Sequence, residues 1–105
     1  MSKKISVLIK EPRKKPRHVN ISNTLENLQK TVGGYIETVT LASDLVVICD
    51  EEGRLKNKQY CCSIANVDFV GTIIIAGVAE DEFADIPADW QTLKMMVPQL
   101  WEDAE

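Results

Sequence analysis

The stretch Asn23-Thr-Leu-Glu-Asn-Leu-Gln-Lys-Thr-Val-Gly-Gly-Tyr-Ile-Glu37 reads as a capped helix, a two-glycine stop and the start of a strand. Asn23 with Glu26 three residues later has the spacing of a capping box, which satisfies amides at a helix N-terminus. Leu25, Leu28 and Val32 fall at i, i+3 and i+7, the apolar stripe of a short helix. Gly33 and Gly34 follow that stripe, where a left-handed residue ends a helix. Phosphate-binding loops place their glycines before a helix, where amides and the positive dipole end meet the anion. Here they come after it, so the pair reads as a stop. Asn23, at the helix N-terminus beside a basic segment, is better placed to meet an anion. Two helical turns are marginal alone, so the stripe must dock on a sheet.

Strand patterns supply that sheet. Lys4-Ile-Ser-Val-Leu-Ile-Lys10 is β-branched and apolar, and Glu11-Pro12 ends it. Five basic residues and two prolines lie between Lys10 and Arg17, which predicts an exposed hairpin connection. Val19-Asn-Ile21 alternates and pairs back on the first strand. Tyr35–Leu41 alternates as a half-buried strand does, and Leu45–Cys49 is a continuous apolar run of a central strand. Residues 54–64 are ambiguous: Lys56, Lys58 and Gln59 read as solvated, and Tyr60–Ile64 fits either a short helix or a strand. Val70–Val78 reads as one sheet-central strand, Ala79–Asp85 as an acidic loop, and residues 86–102 as a helix with Trp90, Leu93, Val97 and Leu100 or Trp101 on one face. Pro98 should kink or restart that helix. The expected fold is a single α+β domain over residues 1–105. It has a largely antiparallel sheet of about five strands, one short helix after strand 2 and a C-terminal helix.

With 105 residues there is room for one core. No apolar run approaches the ~18 residues of a membrane span, and Met1–Val7 lacks an apolar signal-peptide core, so cytoplasmic residence is expected. Three cysteines and one histidine, without a C-x-x-C, do not supply zinc ligands at the usual spacing. Cys61 and Cys62 are adjacent, an awkward geometry for a disulfide with each other, and read first as small reduced hydrophobes, with a redox role as the lesser reading. Net charge is −4 but uneven: residues 1–30 hold eight Lys/Arg against two acids, residues 61–105 one against nine.

Catalytic patterns are sparse. The lone His18 sits in the basic, proline-flanked segment, and no G-x-S-x-G, Cys/His pairing or Ser-x-x-Lys occurs. Asp50-Glu51-Glu52-Gly53 lacks the interleaved ligands of a calcium loop and reads as a solvated turn. Lys56 and Lys58 read as solvated too.

The order Asn23-Thr-Leu-Glu-Asn-Leu-Gln, Val32-Gly-Gly-Tyr-Ile-Glu37, Cys49-Asp-Glu-Glu-Gly-Arg-Leu55 and Val70-Gly-Thr72 resembles domain-of-unknown-function family 3846, small proteins of bacteriophages, conjugative elements and their hosts. The resemblance spans roughly residues 5–80. This chain departs from the usual Gly/Pro-containing link after Leu55, where it has Lys56-Asn-Lys-Gln-Tyr-Cys-Cys62. The family carries no known activity or catalytic residues to transfer. It implies a mobile-element accessory role, and such genes frequently act against host defences.

Together these readings give a small non-enzymatic phage or mobile-element protein that binds a host component. The candidate contact residues are Lys10, Arg13, Lys14, Lys15, Arg17 and His18 of the basic hairpin, with Asn23 and Trp101; Met95 is a further candidate for an exposed partner surface. One alternative is a binder of a small phosphorylated ligand such as a nucleotide signal. Another is nucleic-acid binding through the hairpin. No cofactor, metal or membrane is expected, and the uneven charge suggests a homo-oligomer.

Overall fold

The computed structural model describes residues 3–101. Strands β1 (Lys4–Lys10) and β2 (Arg17–Ser22) form a hairpin, followed by α1 (Leu25–Val32). Next come β3 (Ile36–Ala42), β4 (Leu45–Asp50), a second hairpin of β5 (Tyr60–Ile64) and β6 (Val67–Val70), then β7 (Ile73–Ala79) and β8 (Glu82–Ala84). The C-terminal segment has a 3-10 turn (Trp90–Thr92), one turn of helix α2 (Leu93–Met96) and a second 3-10 turn (Pro98–Trp101).

The main sheet runs β2-β1-β7-β4-β3, with every pairing antiparallel. β7 is central: Ile73–Ile75 pair with β1, and Gly77–Ala79 pair with β8 along the same edge. β1 diverges where β8 begins. Its Ser6 is held instead by the C-terminal side of β8, through the Ile86 amide onto the Ser6 carbonyl (2.7 Å) and the Ser6 amide onto Asp85 Oδ1 (2.8 Å). The α+β class and antiparallel sheet match the sequence reading, with six strands in the sheet and the β5–β6 hairpin packed apart from it.

Strand alternation divides the core between two faces. On one, Leu28 and Val32 of α1 cover Ile5, Val7, Ile9, Val46, Ile48, Ile74 and Ala76. On the other, Leu8, Val47, Cys49, Ile73 and Ile75 are covered by Cys61, Cys62, Ile64 and Phe69 of the second hairpin and by Ile86, Leu93 and Leu100. The result is three layers with β7 buried on both sides.

Several boundaries differ from the sequence reading. Thr24, not Asn23, caps α1: its extended backbone (φ −123°, ψ 147°) lets Oγ1 accept from the Asn27 amide at 3.1 Å. Gly33 stops the helix as expected, at φ +85° with its amide on the Gln29 carbonyl. The expected strand Val70–Val78 is divided at Gly71 (φ +72°), and its first part belongs to the second hairpin. The expected acidic loop contains β8, joined to β7 by Glu80 and Asp81, both at positive φ. The expected C-terminal helix is broken, and Pro98 starts a new turn after Val97 leaves helical geometry (φ −136°, ψ 64°). Among the described residues no helix is long and apolar enough to cross a membrane.

Candidate functional site

The basic hairpin does not present its charge as one patch. Lys10 is on the even-numbered face of β1 with Leu8, beneath the second hairpin, and is only 3% exposed. Its Nζ donates to the Glu11 carbonyl at 2.8 Å. Lys10 is therefore a core residue rather than a surface contact. Glu11 pairs with Arg17 at 3.2 Å and with Lys14 at 3.9 Å, drawing two cations inward. Arg13, Lys14 and Lys15 are exposed at the turn, where Arg13 sits at φ +65°.

His18 lies on β2 opposite Leu8, so its ring meets the C-terminal segment. Nε2 contacts Ser6 Oγ at 2.5 Å, and the ring packs on Trp90 at 5.0 Å between centroids. Trp90 in turn stacks on Trp101 (6.5 Å, 14° between planes), with Lys94 Nζ over the Trp101 ring at 5.7 Å. The fold thus brings His18 and Trp101 together through Trp90, fastening the tail to the sheet. Asn23 is elsewhere: Nδ2 donates to the Phe83 carbonyl at 3.2 Å, tying the start of α1 to β8. That bond uses one hydrogen of the Asn23 amide group, and with Thr24 as the cap Asn23 lies one residue before the helix N-terminus.

The residues of the sequence pattern converge on a second place, at the C-terminus of α1. Asp50 ends β4 with its side chain 1% exposed. Lys58 Nζ approaches Asp50 Oδ2 at 2.6 Å and Lys56 Nζ at 2.9 Å. The same two amines cap the helix, Lys58 on the Val32 carbonyl (2.8 Å) and Lys56 on the Gly33 carbonyl (3.0 Å). Cations are favoured there because the helix carbonyls are unsatisfied and the dipole end is negative. Burial acts to raise the Asp50 pKa, but the hydrogen bonds from Lys58 and Lys56, with the Glu52 amide, outweigh it and bring it from 3.8 to about 2. A Cβ on Gly34 would lie 2.5 Å from Asp50 Oδ1, so only glycine lets β4 come this close. Asp50, Lys56 and Lys58 were read from sequence as solvated. The signal available was two lysines at i+6 and i+8 from an aspartate that ends an apolar strand.

A third feature is an apolar groove of about 380 Å³ between the β3–β4 turn and α2. Leu41, Leu45, Ile64, Trp90, Leu93 and Met96 contribute its floor and walls, and Asp44 and Asp89 its acidic rim. Met95 and Met96 are 85% and 74% exposed. Met95 is exposed as expected, whereas Trp101 is half-buried in the ring stack. Among the described residues no group of three or more His, Cys, Asp or Glu side chains could hold a metal ion.

The family model described as a domain of unknown function, DUF3846, matches residues 4–97. No curated protein and no solved structure gives a significant match.

Proposed function

The chain belongs to the DUF3846 family, and on that premise we propose that it is a non-enzymatic binding protein, an accessory factor of a phage or mobile element. Its groove docks an apolar, cation-flanked segment of a host protein. The observation that carries this reading is the apolar groove with Met96 lining it while standing 74% exposed. Methionine is unbranched and polarisable, which suits a surface that must adapt to a partner. The volume lies in the range of ~300–1,000 Å³ that accommodates a bound group. Asp44 and Asp89 on the rim, in a chain whose last third is strongly acidic, favour a segment carrying Lys or Arg beside its apolar anchors. The host assignment, with interference in host defence, follows from the resemblance to mobile-element proteins.

Two features support binding over catalysis and over phosphate recognition. Ser6 and His18 touch, but Asp85 accepts from the Ser6 amide, so the trio lacks the serine–histidine–carboxylate relay order. At the hairpin, Lys10 is buried and Glu11 offsets Arg17 and Lys14, which weakens the footprint expected for phosphates.

A peptide-display selection on the immobilised chain tests the proposal. Enrichment of sequences with paired apolar residues flanked by Lys or Arg, lost in Met96→Glu at unchanged melting temperature, is the expected result. Enrichment of acidic sequences, or retention unaffected by Met96→Glu, would overturn it.

A further inference from the structure

The main sheet ends at β3, which pairs with β4 on one side and, among the described residues, with no strand on the other. The ladder determines which backbone groups are left open. The Glu51 amide donates to the Tyr35 carbonyl at 2.9 Å, so these two residues form a hydrogen-bonded pair. Bonded and non-bonded pairs alternate along an antiparallel ladder. Glu37 opposite Cys49 and Val39 opposite Val47 therefore continue the bonded series. The far side of β4 gives the same phase. There the Val78 amide donates to the Asp44 carbonyl at 3.2 Å, so Val46 and Ile48 turn their groups to β7 and leave Val47 and Cys49 for β3. Ile36, Thr38 and Thr40 thus aim their amides and carbonyls outward, and among the described residues no hydrogen bond reaches them there.

Sheet edges are commonly blunted by lysine, proline, brevity or a covering element. β3 is seven residues long, with neither lysine nor proline and a single charge, Glu37. Its bulge lies at the far end, between Thr40 and Ala42, which leaves Ile36–Thr40 regular. β2, at the other end of the sheet, carries Arg17 and His18 instead. Tyr35, directly before β3, is 65% exposed.

We propose that β3 pairs with β3 of a second copy of this chain, antiparallel about a two-fold axis at Thr38, making one continuous sheet. Outward-facing residues must meet one another to exchange hydrogen bonds, and this register meets that condition. Ile36 lies opposite Thr40 and Thr38 opposite Thr38, with Glu37 opposite Val39 between them. The whole regular stretch is used, threonine meets threonine, and no like charges stand directly opposite. Tyr35 shares a face with Val39 and Leu41 by strand alternation, and the register carries it towards the half-buried Leu41 of the second copy. This self-complementarity selects a second copy over an unrelated extended segment. The two Glu37 carboxylates fall on diagonal positions, ~7–8 Å apart along the backbone, and oppose the pairing. Contact through one short strand is smaller than a standard interface, so association is weak and concentration-dependent.

Sedimentation equilibrium of the full chain from about 1 µM to about 1 mM tests the proposal. The wild type should pass from monomer to dimer mass and stop there. Thr38→Pro removes an amide that points away from β4, a place where an edge strand tolerates proline; it should stay folded and monomeric. Glu37→Gln should tighten the dimer about twofold to fivefold. Should Thr38→Pro fail to fold, hydrogen exchange of the wild type decides. The Thr38 and Thr40 amides should gain protection as the dimer fills, while the Val39 amide is protected throughout. A chain monomeric across the series, which would leave the edge to an extended segment of another protein, would overturn the proposal. So would a mass rising past the dimer, a Thr38→Pro variant that still dimerises, or Thr38 and Thr40 exchange that ignores concentration.

Discussion

Asp50 places a charge where its side chain is 1% exposed, and two lysines and one backbone amide hold it there. Removing one partner of a buried ion pair strands the other charges, at a cost of about 3 kcal/mol. Asp50→Asn should lower stability by about that amount at pH 7 in urea denaturation. The folded pKa of about 2 lies below the ordinary 3.8, so the unfolded chain takes up the proton first as pH falls. The contribution is therefore fully present above about pH 4 and is lost as pH falls towards 2. It amounts to about 2 kcal/mol in the wild type, and the Asn variant should lack that slope. Gly34→Ala should cost about 1–3 kcal/mol by forcing a methyl against Asp50 and Lys56. Because the two changes disturb one contact, their effects should fall short of additive by at least ~0.5 kcal/mol. Additive costs would mean that Gly34 matters for some other reason.

At the scale of elements, the β7–β8 turn is a strained joint. Glu80 and Asp81 sit at φ +53° and +65°, the conformation of a two-residue hairpin turn that favours Asn-Gly. Replacing the pair by Asn-Gly should stabilise the chain by about 1 kcal/mol, since left-handed backbone is strained for ordinary residues, and a thermal melt reads it directly. Unchanged melting would show that the turn is held by its strands rather than by its own preferences. The acidic composition of residues 80–85 hid β8 from a sequence reading, because a three-residue strand has too little alternation to register. The C-terminal segment was legible by spacing: Leu93 and Leu100 are buried and Pro98 interrupts, although the helix is shorter than its pattern implies.

For the molecule as a whole, the sheet separates two kinds of surface. One face carries α1, whose end is closed by the Asp50 clasp. The other carries the second hairpin and tail, with the groove, the methionines and the ring stack of His18, Trp90 and Trp101. Cys61 and Cys62 lie under that hairpin, and the groove borders Ile64 at its end.

What the amino-acid order determined alone was local: the glycine stop after α1, the alternation of β1 and β3, the apolar run of β4, the break at Pro98 and the family pattern. These depend on backbone preference and periodicity within a few residues. Tertiary structure decided the remainder. Thr24 rather than Asn23 caps α1, while the Asn23 side chain donates to the Phe83 carbonyl of β8, 60 residues away. Lys10 is buried because the second hairpin packs on its face of β1. Lys58 reaches the Val32 carbonyl across 26 residues and Asp50 across eight. Such contacts leave little local trace, because a charged side chain has the same sequence signature in water as in a clasp. Its environment is set by whichever distant strands pack against it.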